Sequence, residues 1–266
     1  MIELSSHKTF MEHIDELRSR LLKIVATVVS ITLFSFLFGF EKFHFGDLSI
    51  YLPYPNPFND IAALLIKKVQ SDMLPQHVKL IVTSPGQAII AQLYVSIFLG
   101  VVLGMPMIAY QIAAFVGPGL YPREARSIRR LIAPAILLFF LGAIFTYAFV
   151  TPMALEFLYT YGVVLGAETF ITVDDLISFV LLFALAGGLS FQLPVAMWIV
   201  TAVGLVDADF WRRNLSYAIV GIVIFGAVVT PDGSGITMWL ISVPMILLYL
   251  AAYLILRGRR FKPVFG

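Results

Sequence analysis

Six stretches of this chain are each apolar enough for a bilayer crossing, and that limits its fold more than any other feature. A membrane-spanning helix needs about 20 mostly apolar residues. The runs are 21–40, 88–116, 131–152, 176–203, 215–229 and 236–256. Backbone N–H and C=O groups in lipid must be paired within their own segment, so each run reads as an α-helix. The expected fold class is all-α: a polytopic membrane protein with six transmembrane helices and both termini on one side. With 60% apolar and 13% charged residues, against a globular norm of roughly 45–50% and about 25%, too little polar surface remains to coat a water-soluble particle. The first run reads as a span and not a cleaved leader. The 1–20 segment before it is long and carries acids as well as bases, and no small-residue cleavage site follows.

Orientation follows from the basic residues. Fourteen of the 18 Lys and Arg fall on the side of the termini, in 1–23, in the loop after span two, after span four and at the chain end. Only Lys42, Lys67, Lys68 and Lys79 fall on the other. An excess of Lys and Arg marks the cytoplasmic face, so both termini are expected in the cytoplasm of a multi-pass protein of the cell membrane. Residues 1–20 then form a cytoplasmic amphipathic segment. The 41–87 connection is an extracytoplasmic loop, read as an ordered cap with a short helix at 61–69, since loops of this length are seldom plain linkers. Span five has sixteen residues between Arg213 and Thr230, about 24 Å of helix for a hydrocarbon core of about 30 Å. Either the bilayer thins around it or its ends extend by a turn.

Pro106, Pro134, Pro194 and Pro244 fall inside four of the spans. Such breaks are tolerated where neighbouring helices satisfy the freed carbonyls, and they predict a kinked, concave bundle. Gln192 stands mid-span in Ser190-Phe191-Gln192-Leu193-Pro194. An amide there either joins two helices of this chain or docks the helix of a partner.

Several functions lose support. The spans hold almost no ionisable residue, so no chain of acids or histidines runs through the bilayer as an ion-coupled carrier needs. The histidines His7, His13, His44 and His77 lie outside the spans and form no HExxH. No Walker A sequence is present, and no histidine accompanies the serine of Gly187-Gly188-Leu189-Ser190. There are no cysteines, and the net charge is only +2, so neither thiolate chemistry nor a general attraction to nucleic acid follows. The reading is no enzyme, no cofactor, no metal and no nucleic acid. A small-solute transporter or channel is the alternative; it calls for a polar face shared by several spans. A purely structural scaffold is the third class.

Two acid-bearing segments remain on the face of the termini: His13-Ile14-Asp15-Glu16-Leu17-Arg18-Ser19-Arg20 and Phe115-Val116-Gly117-Pro118-Gly119-Leu120-Tyr121-Pro122-Arg123-Glu124. Spacing alone permits plain ion pairs, Glu16 with Arg20 at i,i+4 and Glu124 with Arg123 or Arg126. These segments, with the Ser-Phe-Gln-Leu-Pro stretch of span four and the Thr230-Pro231-Asp232 turn before span six, resemble TatC, the multi-spanning receptor family of the twin-arginine protein translocase. The resemblance covers nearly the whole chain, as one TatC-like membrane domain over 1–266. It implies that Glu16 and Glu124 read the arginine pair of signal peptides on folded cargo, with Arg18, Phe115, Pro118 and Tyr121 shaping that surface. Carboxylates suit the task because each accepts two parallel donors of a guanidinium fork, which lysine cannot offer. It further implies export driven by the proton-motive force and single-span partners, TatA and possibly TatB, docking near Gln192 and spans five and six. A homo-oligomer is compatible with it. Many relatives carry glutamate where Gln192 stands, and glutamine there cannot hold a charge.

Overall fold

Long, almost unbroken apolar helices account for most of the chain, and the places where they break are set by proline. The computed structural model describes residues 10–45, 48–56, 58–75, 78–117, 128–164, 166, 170–230 and 232–258. Among the described residues five helical stretches are long and apolar enough to cross a membrane: Met11–Leu37, Gln87–Val116, Ile128–Val164, Val173–Ala202 and Ile236–Gly258. The sixth, Leu215–Val229, is apolar but short.

Helix α1 (Phe10–Leu37) lies along α3 (Gln87–Val116), and glycine brings them together. A β-carbon on Gly100 would sit 2.4 Å from Thr32 Oγ1 and 2.7 Å from the Val28 carbonyl oxygen. Only a hydrogen at this position lets the backbones meet, the usual device of membrane helix pairs. The large apolar side chains on the opposite face of α1, such as Leu22, Val29 and Leu33, are exposed.

The third span is α4 (Ile132–Phe145) and α5 (Thr151–Val164), joined by a π-helical turn, Thr146–Val150. Leu131 is a turn because Pro134 has no N–H to continue the ladder. At the other proline the span continues past the boundary expected at 152. The π turn shifts the hydrogen-bond register just before Pro152, with the Thr151 N–H and Oγ1 both donating to the Thr146 carbonyl. Span four is α6 (Val173–Ser190) and α7 (Leu193–Ala202), separated at Phe191–Gln192 by Pro194 in the first turn of α7. Pro106 and Pro244 lie within continuous helices. Helix α6 forms the centre of the core: Leu176, Ile177, Val180 and Phe183 are fully buried. Gly142 and Gly187 face each other where α4 crosses it. The chain ends in the short α8 (Ala208–Arg213), then α9 (Leu215–Val229) and α10 (Ile236–Gly258).

The 41–87 segment is more structured than the short helix expected in it. Strand β1 (Phe38–Phe45) pairs antiparallel with β2 (Leu48–Pro55), in a register running from Phe38 with Pro55 to Phe45 with Leu48. The first strand therefore starts inside the stretch assigned to span one. Helix α2 (Ile61–Met73) follows and is a turn longer than expected. Its cap, Asp60, is fully buried; it accepts from Ala63 N at 2.6 Å and from the Gln92 amide of α3. Burial pushes the Asp60 carboxyl above its ordinary range. Ala62, Val69 and Met73 of α2 join the main core. Strand β3 (Lys79–Ile81) pairs in parallel with β4 (Phe170–Thr172), tying this segment to the start of span four.

Candidate functional site

The acid-bearing stretch of α1 carries His13, Glu16 and Arg20 at helical spacings of three and four, so one face presents all three. That face meets the last turns of α3. The His13 ring stacks on Phe115 with centroids 4.6 Å apart and planes at 22°. Next to it, Arg20 donates to Glu16 Oε1 from Nε at 3.1 Å and from Nη2 at 2.5 Å. A third donor, Nη1, reaches Gln111 Oε1 of α3 at 3.3 Å. Gln111 is 4% exposed, and its own amide N–H group lies 3.7 Å from the Met107 sulfur. The Glu16 and Arg20 side chains retain 14% and 21% of their exposure. A charge pair this desolvated is far more sensitive to losing one partner than a surface pair, because the remaining charge is stranded.

The i,i+4 pair that spacing permits for Glu16 therefore forms. Arg18 lies elsewhere: it is exposed and lines a shallow notch with Asp15, Ser19, Leu22 and Lys23. Among the described residues, the cation on Glu16 is Arg20. Phe115 is half-buried at the end of α3. Pro118, Tyr121 and Glu124 fall within 118–127, outside the described residues, as does Pro231. Gln111 escaped the sequence reading, although a buried amide near the end of an apolar span was a usable signal.

A second feature opens beside the first. Where α3, the start of span three and the break in span four converge, an apolar cavity of about 400 Å³ is lined by Val101, Met105, Ile108, Ile132, Phe139 and Gln192, among others. Its lining includes Val116 and Ile128, on either side of the segment bearing Glu124. Gln192 donates its amide to the Ala135 carbonyl of α4 at 2.9 Å, so it joins two helices of this chain.

At the far end of the bundle, Thr230 donates to the Gly226 carbonyl at 2.9 Å. Asp232 accepts from Thr237 Oγ1 at 2.6 Å and from Ser234 N at 3.3 Å. Burial pushes the Asp232 carboxyl up, but these hydrogen bonds outweigh it and hold the group below the usual carboxylate range. Gly233 and Gly235, at φ 62° and 66°, close the turn in the left-handed region. Among the described residues no group of three or more His, Asp or Glu is placed to hold a metal.

The comparisons with known proteins agree with one another. The family described as Sec-independent protein translocase protein (TatC) matches residues 12–244. A Sec-independent protein translocase protein TatC of Cenarchaeum symbiosum is 44% identical over 97% of this chain and 97% of its own length. The TatC of Aquifex aeolicus is 32% identical over 90% of each. A crystal structure of the twin arginine translocase receptor TatC superposes with a TM-score of 0.75 at 29% identity, over 92% of this chain and 99% of that one.

Proposed function

The chain belongs to the Sec-independent protein translocase (TatC) family, a multi-pass membrane component of twin-arginine translocation, and from that premise we propose that it is the subunit that reads twin-arginine signal peptides on folded cargo. The observation that carries this reading is the Glu16 carboxylate at the α1–α3 junction, which accepts two guanidinium donors on Oε1 in a partly desolvated setting. That is the recognition chemistry a cargo arginine requires. Glu124, in the connection leaving α3, supplies the second carboxylate. Phe115, Pro118 and Tyr121 belong to the surrounding surface, and Arg18, on the exposed side of α1, is left to its outer rim.

The apolar part of the signal needs a lipid-level groove, and the cavity beside α3 suits it: apolar, bounded by helices and lined by Val116 and Ile128. The arginine-reading face, with both termini, lies in the cytoplasm, as the distribution of Lys and Arg requires. TatA, and TatB where present, pack against α9 and α10, whose outward residues Tyr217, Ile224, Trp239 and Leu247 are exposed. The proton-motive force drives transport. Helix α9, at 15 residues, spans about 22 Å of a core about 30 Å thick, which favours local thinning of the bilayer where cargo passes.

Calorimetry with a twin-arginine peptide and its Lys-Lys version tests the proposal. The purified protein binds the first more tightly than the second, and the Glu16→Ala/Glu124→Ala double variant loses that difference. Equal binding by parent and double variant would exclude these carboxylates as the readers.

A further inference from the structure

We propose that Arg20 is an internal substitute for the cargo arginine: it occupies Glu16 in the empty receptor, is steadied by Gln111, and is displaced when a signal peptide binds. This rests on the reading of Glu16 given above.

Three features of the geometry support it. Arg20 presents Nε and Nη2 to Glu16 Oε1, the same edge of a guanidinium that an incoming arginine would present. Its other edge is held on α3, where Nη1 meets Gln111 Oε1 at 3.3 Å, a longer and weaker contact than the 2.5 Å one to Glu16. Gln111 is buried, and its N–H group points to the Met107 sulfur, so its carbonyl oxygen is the end turned to Arg20. Gln111 thus adds to the hold on Arg20 while it rests on Glu16. Exchange of one guanidinium for another keeps the carboxylate paired throughout, which avoids the large cost of a stranded, half-buried charge. An unpaired Glu16 would instead attract any passing cation.

The exchange has a defined thermodynamic signature. Displacing Arg20 subtracts the same free energy from the binding of every competing cation. The internal pair therefore weakens Arg-Arg and Lys-Lys peptides by one common factor and leaves their ratio to the fork geometry. It sets how tightly cargo is held, and hence how readily it is released, without changing which cargo is preferred.

Calorimetry on the full chain in lipid nanodiscs, with both peptides, tests this. Arg20→Ala should tighten both by at least about fivefold, the upper end for an exposed pair, which this more desolvated one exceeds, with their ratio unchanged. Gln111→Leu should tighten both by a smaller factor, because Arg20 loses its second anchor. Arg20→Lys keeps the charge but loses the fork; it should also tighten both, and it serves if the alanine variant does not accumulate. In a Glu16→Ala background the Arg20→Ala gain should vanish. If Arg20→Ala and Arg20→Lys weaken binding or leave it unchanged while Glu16→Ala still weakens it, Arg20 is no substitute and Glu16 remains the reader. A lowered Arg-Arg to Lys-Lys ratio in Arg20→Ala would likewise overturn the proposal, since it would make Arg20 part of the selective surface. If Glu16→Ala has no effect, the reading of Glu16 fails and this inference fails with it.

Discussion

Replacing Gly100 with leucine should loosen the helix that carries half of the proposed reading site. Any β-carbon there would lie 2.7 Å from the Val28 carbonyl oxygen, and a backbone atom cannot rotate away as a side chain can. Ordinary contact starts at about 3.4 Å, so alanine alone forces the helices apart by about 0.7 Å, a gap that forfeits a quarter to a half of each contact's dispersion energy. Overpacking of this kind costs about 1–3 kcal/mol, and leucine lies at the upper end. Helix α1 has little other contact to offset the loss, since its membrane stretch is almost wholly unburied apart from this face. Because α1 positions His13 and Arg20 against Phe115 and Gln111, the effect should reach the site. The assay pairs thermal melting of the purified protein with backbone hydrogen exchange across 10–37. Gly221→Leu is the control, at a glycine with open space around it. Gly100→Leu should lower the melting temperature and speed exchange in α1, and Gly221→Leu should do neither. Equal behaviour of the two variants would refute the claim that glycine contact sets the α1–α3 junction.

Two other outcomes follow from the geometry. Gln192→Leu removes the amide that joins the span-four break to Ala135 and should cost about 0.6–1.7 kcal/mol, read as a lower melting temperature. Asp60 has its pKa raised by burial, so the folded state binds protons more readily than the unfolded one. Its contribution is greatest below the ordinary carboxylate pKa and is lost as pH rises through the raised value. Asp60→Asn should therefore remove that part of the pH dependence, so the variant's melting temperature falls less than the parent's as pH rises from acid to neutral.

Most of the fold was legible because lipid is a demanding solvent. A long apolar run can satisfy its backbone only as a helix, and the breaks at Leu131 and at Phe191–Gln192 follow from Pro134 and Pro194 lacking a donor. Pro152 defeated the same rule, because the π turn ahead of it changed the register and let the helix continue. The β1–β2 hairpin was not legible, because prolines such as Pro53 and Pro55 argue against a strand, yet proline is acceptable in a two-stranded edge where its missing N–H faces outward. At the site, the alignment of His13, Glu16 and Arg20 was legible from helical spacing, and the i,i+4 pair was one of the readings left open. The contribution of α3 was not, because Gln111 and Phe115 are 91 and 102 positions from Arg20 and His13 in the sequence.

Sequence alone determined that this chain lives in a membrane, how many times it approaches the length of a crossing and that His13, Glu16 and Arg20 share one helical face. Those properties belong to single segments, whose partition into lipid and helical period need no partner. Which cation rests on Glu16, which amide holds that cation and which helices enclose the apolar cavity were decided only by tertiary packing. They depend on how closely two backbones can approach, and that distance is set by the glycines of one helix against the side chains of another.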